Sequence, residues 1–422
     1  MVRGLVVADD LTGGCDTGHA FAATGNRTQV LVAADHSLPD VDVVVVNTGG
    51  RTSGPAGAAG AVREAIAAVP ADHHYFKIDS TLRGNVAVTV TAAIEATSAT
   101  EPPLALVVPA APTVGRTTNC GWHLVNGTLV TDVMADSAAE RPPTTSFLPD
   151  LVAADDMTVH RVSIETVARG SDSIVGRFRD LSAPAIVVPD VTHDRHLESL
   201  AKAIEVVDRP IVPVGSVGLA THIAARSPFN RGEPPSRRPI NRDGLLGVIG
   251  STNPITRKAI DNLPDQEVIR LPLEPTILGK EEAVTRAVSR AGETIDQYGR
   301  AVVTSVYGSD PTGMVRSLAE QHAIEADLAA ERIGATLGTV ASNLIGRRSL
   351  GGMVMAGGDT AQSVLAALGT RSILLSGHAV ETGIPIGQLT GGVADGVQVI
   401  TKAGGFGDER TIGRCLDALE ST

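Results

Sequence analysis

Residues 4–18 read GLVVADDLTGGCDTG, and their order decides the fold. An uncharged run ends in two adjacent carboxylates, Asp9 and Asp10, followed by Thr12, two glycines and Asp16. A short continuous apolar run suits a strand covered on both faces. Glycine and a hydroxyl directly after it suit a tight turn into a helix. The same grammar recurs along the chain. VDVVVVN (41–47), HYFKID (74–79), LALVVPA (104–110) and AIVVPD (185–190) read as buried strands, separated by helical stretches such as GPAGAAGAVREAIAAV (54–69) and NVAVTVTAAIEAT (85–97). This alternation predicts an α/β protein built on largely parallel sheets flanked by helices.

The pattern stops at SPFNRGEPPSRRPINRDG (227–244), which is rich in Pro, Arg and Gly and has no apolar period. It reads as a linker. Beyond it the alternation restarts with LLGVIG, EVIRLP, RAVVTSVYG, GGMVMAG, RSILLSG and GVQVITK. Two domains are therefore expected, 1–230 and 244–422, with a cleft between them. Leu318 to Arg347 reads as one long helical segment.

Composition narrows the function. The chain has 422 residues and a formal net charge of −12 with no basic stripe, which makes nucleic acid and anionic membrane poor partners. Aromatic residues are only 2% of a chain that is 43% hydrophobic, so the core must be aliphatic. Three scattered cysteines, Cys15, Cys120 and Cys415, form no disulfide frame or zinc spacing and point to a reducing cytoplasm. Cys15 and Cys120 read as small buried apolar residues. The N-terminal run reads as a strand rather than a signal peptide, and no run is long enough for a membrane span.

Ligands of open α/β sheets gather where strands end and helices begin. In the first half those positions hold Asp9, Asp10, Thr12 and Asp16, then Thr48 and Arg51, then Lys77, Asp79, Ser80, Thr81 and Arg83, then Arg116. Such a mixture suits a small polyhydroxylated acid, because arginine grips a carboxylate through paired hydrogen bonds and aspartate accepts from hydroxyls. One aspartate could also take the proton of an attacking hydroxyl. Thr12 or Asp16 taken singly reads as a helix cap, but one cap needs one acceptor, and Asp9 and Asp10 are two. The second half carries three glycine turns at strand ends: IGSTNPIT (249–256), AGGDTAQSVL (356–365) and TKAGGFGDE (401–409). Glycine lets backbone approach phosphate oxygens, and Lys402 could neutralise their charge. Neither a P-loop nor a G-x-G-x-x-G fingerprint accompanies them.

ADDLTGGCDTG, KIDSTLRGN, PAAPTVGRTT, VGSVGLA, IGSTNPIT, AGGDTA and TKAGGFG, in this order over nearly the whole chain, resemble the four-carbon acid sugar kinase family. The resemblance implies an ATP-dependent kinase acting on the 4-hydroxyl of threonate, erythronate or 3-oxo-tetronate. The N-terminal domain would hold the acid and the C-terminal domain the nucleotide. By motif, Asp9, Asp10, Arg51, Lys77, Asp79, Ser80 and Arg83 fall in the acid site, with Asp10 the first choice of catalytic base and Asp79 the second. Ser251, Gly357, Gly358, Asp359, Thr360, Lys402, Gly404 and Gly405 fall in the ATP site. Mg²⁺ is expected with ATP, its protein ligands unassigned. Asp359 stands where the family has Glu, and Asn253 and Ala259 stand where it has Ser and Gln. The rival readings are a nucleotide- or sugar-acid-binding regulator without catalysis and an NAD(P)-dependent oxidoreductase. A cytoplasmic homodimer is the base-rate expectation.

Overall fold

The structure, a computed structural model, describes residues 2–32, 40–97, 101–135, 141–154, 156–227 and 244–420. The stretch read as a linker falls almost wholly on 228–243, outside the described residues. The chain divides into two compact units, Met1–Gln29 with Leu38–Glu233, and Val30–Ser37 with Pro234–Thr422.

The strands up to residue 215 are β1 (Gly4–Ala8), β2 (Thr28–Leu31), β3 (Val43–Asn47), β4 (His73–Lys77), β5 (Leu104–Val108), β6 (Arg116–Asn119), β7 (Trp122–Val125), β8 (Thr128–Leu129), β9 (Thr158–Val162), β10 (Ala185–Pro189) and β11 (Ile211–Gly215), all of the first unit except β2, whose Val30 and Leu31 belong to the second. The main sheet runs β3-β1-β4-β11-β5-β10-β9, every neighbouring pair parallel, with β2 beside β3. Strands β1, β5 and β10 are buried at every position, as continuous apolar runs require. Each Val, Leu or Ile sealed in this way contributes about 1.5–3 kcal/mol. Strands β6, β7 and β8 form a separate small antiparallel sheet.

The second unit contains β12 (Leu245–Ile249), β13 (Val268–Arg270), β14 (Arg300–Thr304), β15 (Gly352–Ala356), β16 (Ser372–Glu381), β17 (Ile384–Thr390) and β18 (Gln398–Lys402). Its order is β13-β14-β12-β15-β18-β17-β16. The first five strands are parallel, and β17 and β16 continue antiparallel. Its core joins Ile249, Val302, Val354, Ile400 and Leu416.

Two expectations need correction. Leu318 to Arg347 is not one helix: Pro311–Gln321 ends and Ala326–Arg347 begins, because Ala323 turns left-handed (φ 52°) and its N–H donates back to Glu320 O. Cys120 is exposed, in the tight turn between β6 and β7, whereas Cys15 is buried. No helix among the described residues is long and apolar enough to cross a membrane.

Candidate functional site

The topology of the first unit explains how distant residues meet. Strands β3, β1 and β4 are neighbours in register, with Ala8 opposite both Asn47 and Lys77. Their carboxyl ends therefore deliver Arg51, Asp9–Asp10 and Asp79 to one place. The Leu11–Ala22 helix starts at Asp10, whose extended backbone and carboxylate cap it by accepting from Gly13 N at 3.1 Å. Neither Thr12 nor Asp16 is the cap: the Thr12 hydroxyl donates to Asp10 at 2.6 Å, and Asp16 lies within the helix.

Arg51 ties the carboxylates together. Its Nε and Nη2 donate to the two oxygens of Asp9 at 3.0 and 2.8 Å, and Nη2 donates to Asp10 at 2.6 Å. It also lies 3.6 Å from Asp79. The Lys77 ammonium is 3.8 Å from Asp9. Gly13 is the close approach that admits it, since a Cβ there would sit 2.6 Å from Lys77 Nζ. Asp79 accepts from Arg83 Nε at 2.6 Å, Nη2 at 3.0 Å and backbone N at 3.3 Å, and from the Thr81 hydroxyl.

These contacts sort the acids. Burial works against charge on Asp79, but Arg83 and Arg51 override it and hold its carboxyl well below the usual range. Burial likewise opposes charge on Asp10, and Arg51, Lys77 and the Thr12 hydroxyl outweigh it, so its pKa is lowered. For Asp9 burial prevails over Arg51 and Lys77 and the pKa rises. Burial raises Asp16 to about 7, Lys77 offsetting only part of the effect.

A raised carboxyl pKa means that the folded chain keeps a proton the unfolded chain has released. Stability from Asp16 is full below the ordinary aspartate value of 3.8 and is lost as pH rises toward about 7. Asp16→Asn should therefore gain on the parent in melting temperature between pH 5 and pH 8. Parallel melting-temperature curves across that range would contradict the assignment.

In the second unit the neighbours β12, β15 and β18 end in register at Ile249, Ala356 and Lys402, so the three glycine turns converge. Gly357 takes φ +109°, closed to most side chains, and a Cβ there would lie 3.2 Å from Ser251 N. A Cβ on Gly404 would lie 2.6 Å from the Ser251 hydroxyl. The Gly358–Ala367 helix has no side-chain cap, and Asp359 in its first turn is exposed. The N–H groups of Gly358, Asp359 and Thr360 face no acceptor among the described residues, which leaves an anion-seeking helix end. Gly405 is exposed, and a Cβ on it would lie 3.8 Å from Asn253 Nδ2. Pro254 opens the next helix, capped by Asn253 accepting from Ile255 N at 2.9 Å.

Lys402 sits differently from what its place after the strand suggests. It is fully buried, and its ammonium donates to Thr256 Oγ1 at 2.8 Å and to the Ala403 and Gly404 carbonyls at 3.2 Å. Burial lowers its pKa to about 8. In this position it braces the 403–405 turn.

Two domain models match the chain: a sugar-binding N-terminal domain over residues 4–223 and a nucleotide-binding C-terminal domain over 246–412. The chain belongs to the four-carbon acid sugar kinase family. Among curated relatives, a D-threonate kinase of Salmonella typhimurium is 31% identical over 99% of this chain and 98% of its own. A D-threonate kinase of Bordetella bronchiseptica is 33% identical, covering 98% of this chain and 96% of its own. A 3-oxo-tetronate kinase of Methylobacterium radiotolerans is 28% identical over 98% of each chain. A crystal structure of a Haemophilus influenzae protein matches with a TM-score of 0.75 at 21% identity, covering 98% of this chain and 100% of that one, a likeness of fold.

In this family member the acid-site candidates Asp9, Asp10, Arg51, Lys77, Asp79 and Arg83 form one linked cluster, and Ser80 lies on its 79–83 loop. One neighbour went unread in the sequence. His123 on β7 is fully buried, with Nε2 2.9 Å from the Ser80 carbonyl oxygen and Nδ1 3.0 Å from the Thr118 hydroxyl. Nothing in HLVNG marks it, since its role depends on the small sheet reaching back to the loop. The Asn126–Gly127 pair is, however, a recognisable hairpin signal.

Proposed function

We propose that the chain is an ATP-dependent kinase that phosphorylates the 4-hydroxyl of a four-carbon sugar acid: threonate, erythronate or a 3-oxo-tetronate. The observation that carries the reading is the charge of the first unit's cluster. Arg51, Lys77, Arg83 and the nearby Arg116 set four cations against the three carboxylates Asp9, Asp10 and Asp79, an excess of one positive charge while the adjoining Asp16 keeps its proton. Such a balance suits a monoanion carrying hydroxyls. The names of the relatives and the two domain models agree with it.

Phosphoryl transfer needs placement and charge neutralisation more than covalent help. Lys77, Arg83 and Arg116 hold the acid's carboxylate. Asp10, kept ionised by Arg51 and Lys77, orients the 4-hydroxyl and takes its proton as the new bond forms. The helix end at Gly358–Thr360 and the Ser251 hydroxyl receive the nucleotide phosphates. No group of three or more His, Cys, Asp or Glu side chains poised for a metal occurs among the described residues. Mg²⁺ bound with the nucleotide would neutralise phosphate charge, and Asp359, exposed in the first turn of the Gly358–Ala367 helix, is the residue that would help hold it. Cys15, Cys120 and Cys415 form no disulfide among the described residues, as a reducing cytoplasm would have it.

The test is ADP release with ATP, Mg²⁺ and a panel of both threonate and both erythronate enantiomers and the 3-oxo-tetronates. Turnover with at least one is expected. ATP binding without ADP release on the whole panel would reject the kinase in favour of a binding protein.

A further inference from the structure

The loop from Asp79 to Gly84 carries Asp79 and Arg83, and one contact from outside fixes the direction of its second peptide. Ser80 presents a carbonyl oxygen, which can only accept, so His123 Nε2 must carry the ring proton and donate across the 2.9 Å contact. In the neutral ring Nδ1 is then the acceptor, and the Thr118 hydroxyl donates to it at 3.0 Å. The ring is itself anchored. His123 N donates to Ser146 O at 2.8 Å, and Thr118 exchanges backbone hydrogen bonds with Val191 at 2.8 and 2.7 Å. Burial depresses the imidazole to about 4, so it stays neutral in the cell.

A peptide is planar and trans, so its N–H points opposite to its C=O. With the Ser80 carbonyl turned to His123, the Thr81 N–H is aimed to the other side. Neither it nor the N–H groups of Asp79 and Ser80 meet an acceptor among the described residues. Thr81 is only partly buried, and its hydroxyl and the Arg83 N–H both already donate to Asp79. The loop holds this shape although Leu82 is left-handed (φ 62°), a conformation that strains a residue with a side chain. An outside tie is what such a loop needs.

We infer that His123 is a positioning residue for acid binding: by holding the Ser80 carbonyl it turns the Thr81 N–H toward the bound acid, as a hydrogen-bond donor to an acid oxygen beside Arg83. This rests on the acid-binding reading of the first unit proposed above. A backbone donor adds direction to a site whose other donors are long cationic side chains, and it discriminates an oxygen at a fixed position from one displaced by a change of stereochemistry.

The experiment uses the full chain and reads acid affinity by calorimetry without nucleotide, alongside the KM for acid and for ATP. His123→Leu should weaken the acid by about tenfold, the usual cost of one hydrogen bond to an ionised group, and leave the ATP KM unchanged. His123→Gln, whose amide N–H can occupy the place of Nε2, should recover most of the loss. Thr118→Val, a milder change that only frees the ring, should weaken the acid less than His123→Leu and in the same direction; it carries the test if the leucine variant does not fold. Acid affinity unchanged in the leucine and valine variants overturns the inference. So does an equal loss for acid and ATP that glutamine fails to rescue, because a merely structural role would produce it. Acid binding without turnover in the parent chain would strike the kinase reading alone. A parent that binds none of the acids would remove both.

Discussion

Asp10→Asn will lower kcat for the sugar acid by about 10²- to 10⁴-fold, the range of a lost general base, while the KM for the acid moves far less. The substitution is informative because asparagine caps a helix about as well as aspartate. The hydrogen bond from Gly13 N and the start of the Leu11–Ala22 helix are therefore retained. What disappears is the charge that Arg51 and Lys77 keep on the carboxylate and its ability to accept a proton. Steady-state kinetics with saturating ATP, beside a thermal melt, measures both. A variant that turns over like the parent removes Asp10 as the base. Asp79 is not an equal substitute in this role. Arg83, Thr81 and its own loop already occupy its oxygens, and its pKa lies well below the carboxylate range.

Arg51→Met will be the most damaging single change for the fold of the first unit. One guanidinium lies against Asp9, Asp10 and Asp79 at 2.8, 2.6 and 3.6 Å. Burial opposes its charge, yet the three carboxylates raise its pKa well above the ordinary arginine value. Removing it leaves three buried carboxylates facing one another with only Lys77, Arg83 and the nearby Arg116, and breaking a buried ion pair from one side costs about 3–5 kcal/mol. Denaturant unfolding should show that loss, and acid binding should vanish with it. Arg51→Lys should not restore either property, because an ammonium cannot donate to both oxygens of Asp9 and to Asp10 from one plane. A methionine variant of parental stability would mean that the cluster is held by something other than Arg51.

The alternation of apolar runs and Ala-rich stretches was enough to read a parallel α/β architecture, because strands sealed on both faces have no polar alternation to confuse them. It was enough also to find Asp9, Asp10, Arg51, Lys77 and Asp79, since each lies at the end of an apolar run or within a few residues of it. Which strands are neighbours is not written locally. The order β3-β1-β4 depends on long-range packing, and only that order lets Arg51 reach Asp79. The small sheet β6–β8 escaped notice for a different reason. Its strands are two to four residues long and mix polar with apolar side chains, too short for a period to emerge. His123 was lost with it. Lys402 was legible as a residue after a strand but not as a buried brace, because its partners Thr256 and Gly404 belong to a distant helix and a following turn. The break at Ala323 was hidden by helix-favouring residues on both sides.

The central claim is transfer to the terminal hydroxyl of a four-carbon acid, and phosphorus NMR of the product reads it directly. Incubation with ATP, Mg²⁺ and the preferred acid should give one phosphomonoester whose phosphorus couples to two protons, as a phosphate on the C4 methylene does. A phosphorus coupled to a single proton would place the phosphate on C2 or C3, and an acid recovered unchanged would mean that the chain transfers no phosphate to it.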